Sequence, residues 1–120
     1  MKKGRGVGDT GFAAIAGKLS HLPQLAELFA ANNALGASSA RALADSLRGG
    51  SLAGLQSLDL NANSLGDAGL EALGAAAAAG ALAQLSKLYV DKNRITDAGV
   101  ASFAAAIGGA LPRLYELWLS

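Results

Sequence analysis

Apolar positions recur along this chain in a register of thirty residues. Leu55, Leu58, Leu60, Asn63 and Leu65 read L-x-x-L-x-L-x-x-N-x-L; thirty residues earlier stand Leu25, Leu28, Ala30, Asn33 and Leu35, and thirty later Leu85, Leu88, Val90, Asn93 and Ile95. A fourth copy opens at Leu114, Leu117 and Leu119. The alternation within L-x-L is the period of a short strand with one buried face. Past each asparagine the period changes. Ala40, Leu43 and Leu47, then Leu70, Leu73 and Ala77, then Val100, Phe103 and Ile107 follow i, i+3, i+7 spacing, one face of a helix. Phe12, Ile15 and Leu19 keep the same register upstream.

The pattern predicts helices from Ser38 or Ser39 to Arg48, from about Asp67 to Gly80, and from Thr96 or Asp97 to Gly108-Gly109. Ser38 and Ser39 are expected N-caps, and glycine just past the end is the usual stop. The run Ala75 to Ala79 is strong helix former, and its small side chains predict close packing of that helix on the layer beneath it. Residues 1–120 divide as one domain into a partial repeat at 7–21 (turn and helix), full repeats at 22–51, 52–81 and 82–110, and a truncated repeat at 111–120. Lys2 and Arg5 fall where an apolar residue and the asparagine belong, and the last repeat stops on Leu117-Trp118-Leu119. Uncapped ends of this kind predict a fragment that self-associates through open sheet edges.

One strand-turn-helix unit cannot bury its own apolar face, so the units must stack, strand beside parallel strand. Asn33, Asn63 and Asn93 then fall where the chain leaves the strand. An asparagine side chain has two N–H donors and an acceptor oxygen, enough to satisfy turn backbone groups that no strand pairing reaches. A structural asparagine ladder is expected, with Asn61, one column over, exposed.

Period and motif resemble leucine-rich repeats. The sequence Gly66-Asp67-Ala68-Gly69 between the asparagine turn and a full helix resembles the ribonuclease-inhibitor-like subfamily, over residues 7–120. The resemblance implies an α/β fold: a right-handed solenoid, a segment of a horseshoe, with parallel strands on the concave side, helices on the convex side, and ligands on the concave face or its rim. It carries no functional residue of any one branch onto this chain.

The middle residue of each L-x-L points away from the core, and in the four copies it is Phe29, Asp59, Tyr89 and Trp118. Half of the chain's six aromatic residues stand in this one column. Glu27, Ser57, Lys87 and Glu116 flank it on one side, and Ala31, Asn61, Asp91 and Ser120 on the other. Exposed aromatics ringed by charge predict a non-catalytic module that binds another protein on its concave face. The competing reading is that aromatics simply favour strands. A regulatory repeat segment of a GTPase-activating or innate-immune-sensor-type protein is the alternative function. A nucleotide-binding enzyme is a second, since Gly6-x-Gly8-x-x-Gly11 matches a dinucleotide fingerprint. That fingerprint requires a preceding strand, and only Met1 to Arg5 stand before it.

Composition narrows the field. Ten basic residues against nine acidic leave a formal charge of +1, which provides no electrostatic footprint for nucleic acid or an anionic membrane. Cysteine is absent, which excludes disulfides, thiolate metal sites and a cysteine nucleophile. His21 is the single histidine, so neither a histidine metal cluster nor a Ser-His-Asp triad is expected, and no cofactor is implied. Ala72 to Ala83, twelve residues, is too short to span a bilayer. No signal-peptide pattern opens the chain, which points to the cytoplasm.

Overall fold

A computed structural model of the chain describes residue 8 and residues 25–50, 52–114 and 116–119. Expectations for Phe12, Ile15, Leu19, His21, the amino-terminal strand and Ser120 lie outside the described residues. Strands and helices alternate: β1 Glu27–Phe29, α1 Ala37–Arg48, β2 Ser57–Asp59, α2 Gly66–Ala78, β3 Lys87–Tyr89, α3 Asp97–Ile107 and β4 Glu116–Trp118. The four strands form one parallel sheet in sequence order, with Leu28, Leu58, Leu88 and Leu117 in register across it. This is an α/β repeat solenoid. Each strand is three residues long because the second leucine position, at Ala30, Leu60 and Val90, lies just past it. The backbone there still pairs: the N–H groups of Ala30, Leu60 and Val90 donate to the carbonyls of Asp59, Tyr89 and Trp118.

One continuous core lies between sheet and helices. Leu28, Leu58 and Leu88 from the strands meet Leu43 and Leu47 from α1, Leu70 and Leu73 from α2, and Phe103 from α3. Val100 and Ile107 of α3 are only half-buried, since no further helix among the described residues packs on their side. The close approach expected around α2 comes from glycine as much as from alanine. A Cβ added at Gly74 would sit 3.2 Å from Phe103 Cδ1, so α3 lies directly against the α2 backbone there.

Helix starts differ from expectation at two places. Ser38 and Ser39 are not N-caps: α1 begins at Ala37, its N-cap is Gly36 without a side-chain bond, and Ser39 is buried inside the first turn. In the second repeat the helix begins at Gly66, leaving Asp67 in the first turn with another task described below. Thr96 does cap α3, its hydroxyl accepting from the Gly99 N–H. No helix among the described residues is long and apolar enough to cross a membrane.

The turn out of each strand puts the residue before the asparagine in the left-handed region: Asn32 at φ 60°, Ala62 at 58° and Lys92 at 57°. Left-handed backbone costs a residue with a Cβ about 1–2 kcal/mol, while glycine adds entropy to the unfolded chain. Ala62→Gly is therefore expected to stabilise the fold by about 0.5 kcal/mol, read as a higher denaturant midpoint. A lowered midpoint would show that the Ala62 methyl group makes packing contacts worth more than the strain.

Candidate functional site

The helices cover one face of the sheet, so the side chains at the first and third positions of each strand project from the other. Strand register brings Phe29, Asp59, Tyr89 and Trp118 side by side in one row, and Glu27, Ser57, Lys87 and Glu116 in the next. Phe29 is 62% exposed and Trp118 49%, while Asp59 and Tyr89 are half-buried between their neighbours. Glu27 is exposed, and Lys87, Asp91 and Glu116 are half-buried. Ser57 is buried, its short side chain shaded by the longer Glu27 and Lys87 beside it.

Two contacts hold the carboxy-terminal half of this surface. The Tyr89 and Trp118 rings pack with centroids 4.7 Å apart at an interplanar angle of 53°, within the range of favourable tilted aromatic pairs. The Tyr89 hydroxyl donates to Glu116 Oε2 at 2.8 Å. Both are contacts between adjacent repeats, and both come from residues that the thirty-residue register makes equivalent or near-equivalent. Among the described residues Phe29 has no aromatic neighbour, because the equivalent position in the next strand is Asp59.

Beneath the surface run the asparagines, all three buried. Asn63 Oδ1 accepts from the Asn33 N–H at 2.8 Å and the Leu35 N–H at 3.1 Å, and its Nδ2 donates to the Ala30 and Leu60 carbonyls at 3.0 and 2.9 Å. Asn93 repeats the arrangement one step on, accepting from the Leu65 N–H at 3.3 Å and donating to Leu60 O at 2.7 Å and Asp91 O at 3.0 Å. Asn33 Nδ2 donates to Ala31 O at 3.0 Å. Asn63 and Asn93 thus each satisfy backbone groups of their own turn and of the repeat before it.

Two further inter-repeat contacts are not evident in any single repeat. Asn61, expected to be exposed, is half-buried, and its Oδ1 accepts from the Asp91 N–H at 2.7 Å. Asp67 accepts from the Thr96 N–H at 2.8 Å and from the Thr96 hydroxyl. These donors hold the Asp67 carboxyl below the usual carboxylate range, since they favour its charged form. A Cβ at Gly99 would run into this same carboxylate, so glycine there leaves Asp67 the space it occupies. The sequence signal was weak, because the partners are twenty-nine and thirty residues apart and lie in different repeats.

Gly8, the described member of the amino-terminal glycine motif, donates its N–H to the Asn33 carbonyl at 2.7 Å. Gly66 does the same to Asn93 at 2.8 Å, and both glycines have positive φ. Gly8 therefore occupies the repeat's turn position, its N–H committed to the backbone of the next repeat rather than open to a phosphate. A shallow cavity of about 400 Å³ lies at the amino ends of the strands between Gln56, Gln84, Ser86 and Arg113, where the Ser86 hydroxyl donates to the Gln56 carbonyl. Among the described residues no group of three His, Cys, Asp or Glu converges to hold a metal ion.

The fold and the repeat register agree with what known proteins show. A family model described as Leucine Rich repeat matches residues 55–74 and 84–104, the strand, turn and helix of the second and third units. The two matched units are similar to leucine-rich repeats, and the chain folds as an α/β repeat solenoid. Among solved structures 35 chains match it. One, described as Leiomodin-1 Actin-Binding Site 2, superposes with a TM-score of 0.76 over 92% of this chain at 16% identity. This chain covers 62% of that one's length. At such identity the likeness is one of fold. No curated protein sequence matches the chain.

Proposed function

We propose that this solenoid is a non-catalytic protein-interaction module that takes its partner on the helix-free, concave face of the sheet. The contact surface in this reading comprises Phe29, Asp59, Tyr89 and Trp118 with Glu27, Lys87, Asp91 and Glu116. The observation that carries it is the row of exposed rings. Among the described residues only Phe29, Leu117 and Trp118 are exposed large hydrophobics, and two of the three stand in this row with Tyr89 between them. A soluble surface that leaves an aromatic pair partly uncovered and rings it with charge has the composition of an interface centre. The solved neighbour described as an actin-binding site is consistent with a protein partner, though none of its contact residues transfers at 16% identity. Thirty-residue units with a full helix after each asparagine turn support the ribonuclease-inhibitor-like branch.

The test is a peptide ligand selected on this chain from a random library, then measured against variants. Tyr89→Ala should weaken it by about tenfold or more, about 1.4 kcal/mol, because ring anchors dominate such contacts. It should also lower thermal stability modestly, since Tyr89 packs on Trp118 and bonds Glu116. Glu71→Ala, exposed on α2, should leave affinity unchanged. If Tyr89→Ala lowers the melting temperature while selected ligands bind it as tightly as before, the row is structural and the concave face is not the binding surface.

A further inference from the structure

We propose that the occupant of this face is a basic segment of the partner protein, with an arginine guanidinium seated on the Tyr89–Trp118 ring pair and held by Glu116 and Asp59. The inference rests on the binding role of the face and adds the chemistry of what binds there. Its first support is local charge. Among the described residues Glu27, Asp59, Asp91 and Glu116 stand on this face against the single cation Lys87, although the whole chain carries +1. Lys92 and Arg94 lie beyond Asp91 in the turn and bound the acidic field on that side. Among the described residues no ion pair neutralises it. The only ion pair among the described residues is Arg48 with Asp45 on α1, so Lys87, although register-paired with Glu116, is not at ion-pair distance from it.

The second support is the shape of the central site. Asp59 and Trp118 are the register neighbours of Tyr89 on its two sides, at the strand spacing of about 4.8 Å. Glu116 reaches Tyr89 from the adjacent row through the hydroxyl bond. That bond occupies Oε2 of Glu116, and the Asn61 N–H occupies Oδ1 of Asp59, so among the described residues one oxygen of each carboxylate is left for an incoming donor. A cation within about 6 Å of a ring face is attracted by its quadrupole, most strongly for tryptophan. A guanidinium is planar, so it stacks on a ring while its edge donates to carboxylates; an ammonium does only one of these well. Rings alone would accept any apolar side chain, and carboxylates alone any cation. Together they select arginine.

Trp118 is the only tryptophan in the chain, so its fluorescence reports on this site alone. The full chain is titrated at low and physiological salt with three ten-residue peptides, alternating serine with arginine, with lysine or with glutamate. The arginine peptide should give a saturable emission change that weakens steeply with salt. The lysine peptide should bind about threefold or more weaker, and the glutamate peptide should give no saturable change. Asp59→Asn with Glu116→Gln preserves shape, removes two charges and should weaken the arginine peptide by about tenfold. If that double variant loses its cooperative unfolding transition, Asp91→Asn serves instead, with an expected loss of about threefold. No saturable response to the arginine peptide, equal affinity for the glutamate peptide, or an affinity unmoved by the carboxylate variants would overturn the proposal. Should library-selected ligands still depend on Tyr89 in that case, the face binds a partner of different chemistry; should they not, the binding role of the face falls as well.

Discussion

Asn63→Ala should lower the unfolding free energy by about 3 kcal/mol, measured as a shift of the denaturant midpoint at constant slope. The side chain is buried, and it serves four backbone groups at 3.1 Å or less, in its own turn and the preceding one. Alanine leaves the Asn33 and Leu35 N–H groups without an acceptor in a place that water reaches poorly, and each stranded group costs about 1–3 kcal/mol. The Ala30 and Leu60 carbonyls lose a donor as well, though Leu60 retains the one from Asn93. Asn61→Ala is the natural comparison. It removes one acceptor, for the Asp91 N–H, from a half-buried position, so its cost should be about 1 kcal/mol. Equal losses in the two variants would mean that water replaces the Asn63 amide and that the ladder contributes little to stability.

The second large effect comes from a single register position that has different surroundings in different repeats. Leu58 is 0% exposed, with Leu28 and Leu88 beside it in the neighbouring strands, whereas Leu117 in the edge strand β4 is 38% exposed. Truncating a buried leucine costs its transfer free energy plus that of the cavity left behind, so Leu58→Ala should cost about 3–4 kcal/mol. Leu117→Ala leaves no closed cavity and should cost about 1 kcal/mol. Thermal unfolding of both variants with the parent decides the matter. Comparable losses would imply that β4 is covered in solution, by self-association through the open edge or otherwise, and analytical ultracentrifugation of the parent would then show the larger species.

Both effects follow from how a solenoid divides its energy between units and the interfaces between them. Residues with identical places in the repeat contribute according to what stands on either side. For the same reason Val100 and Ile107 are half-buried while Leu70 and Ala77, their equivalents one repeat earlier, are buried. The periodic pattern cannot express this difference, because it is a property of position in the stack.

Much of the architecture is legible in the sequence because it is local and repeated. The change from period two to i, i+3, i+7 spacing marks each strand and helix, and three copies of the asparagine in one register imply parallel stacking. The same register places Phe29, Asp59, Tyr89 and Trp118 in one row. Helix starts were less legible. Ser38 and Ser39 have cap chemistry, yet the chain enters α1 at Ala37 and draws Ser39 into the interior, since cap preference is worth only about 1 kcal/mol and packing of the adjacent Ala40 and Leu43 is worth more.

By itself, then, the sequence determined the repeat, the α/β solenoid, the core-facing leucines and the membership of each surface column, since all of these follow from periodicity along one chain. The tertiary structure decided which members of those columns touch. Tyr89 meets Trp118 and Glu116, Asn61 takes the Asp91 N–H, Asp67 takes both donors of Thr96, and Gly8 spends its N–H on Asn33. These contacts join residues twenty-five to thirty positions apart, and each depends on side-chain reach and turn geometry across a repeat boundary, where a pattern within one repeat carries no information.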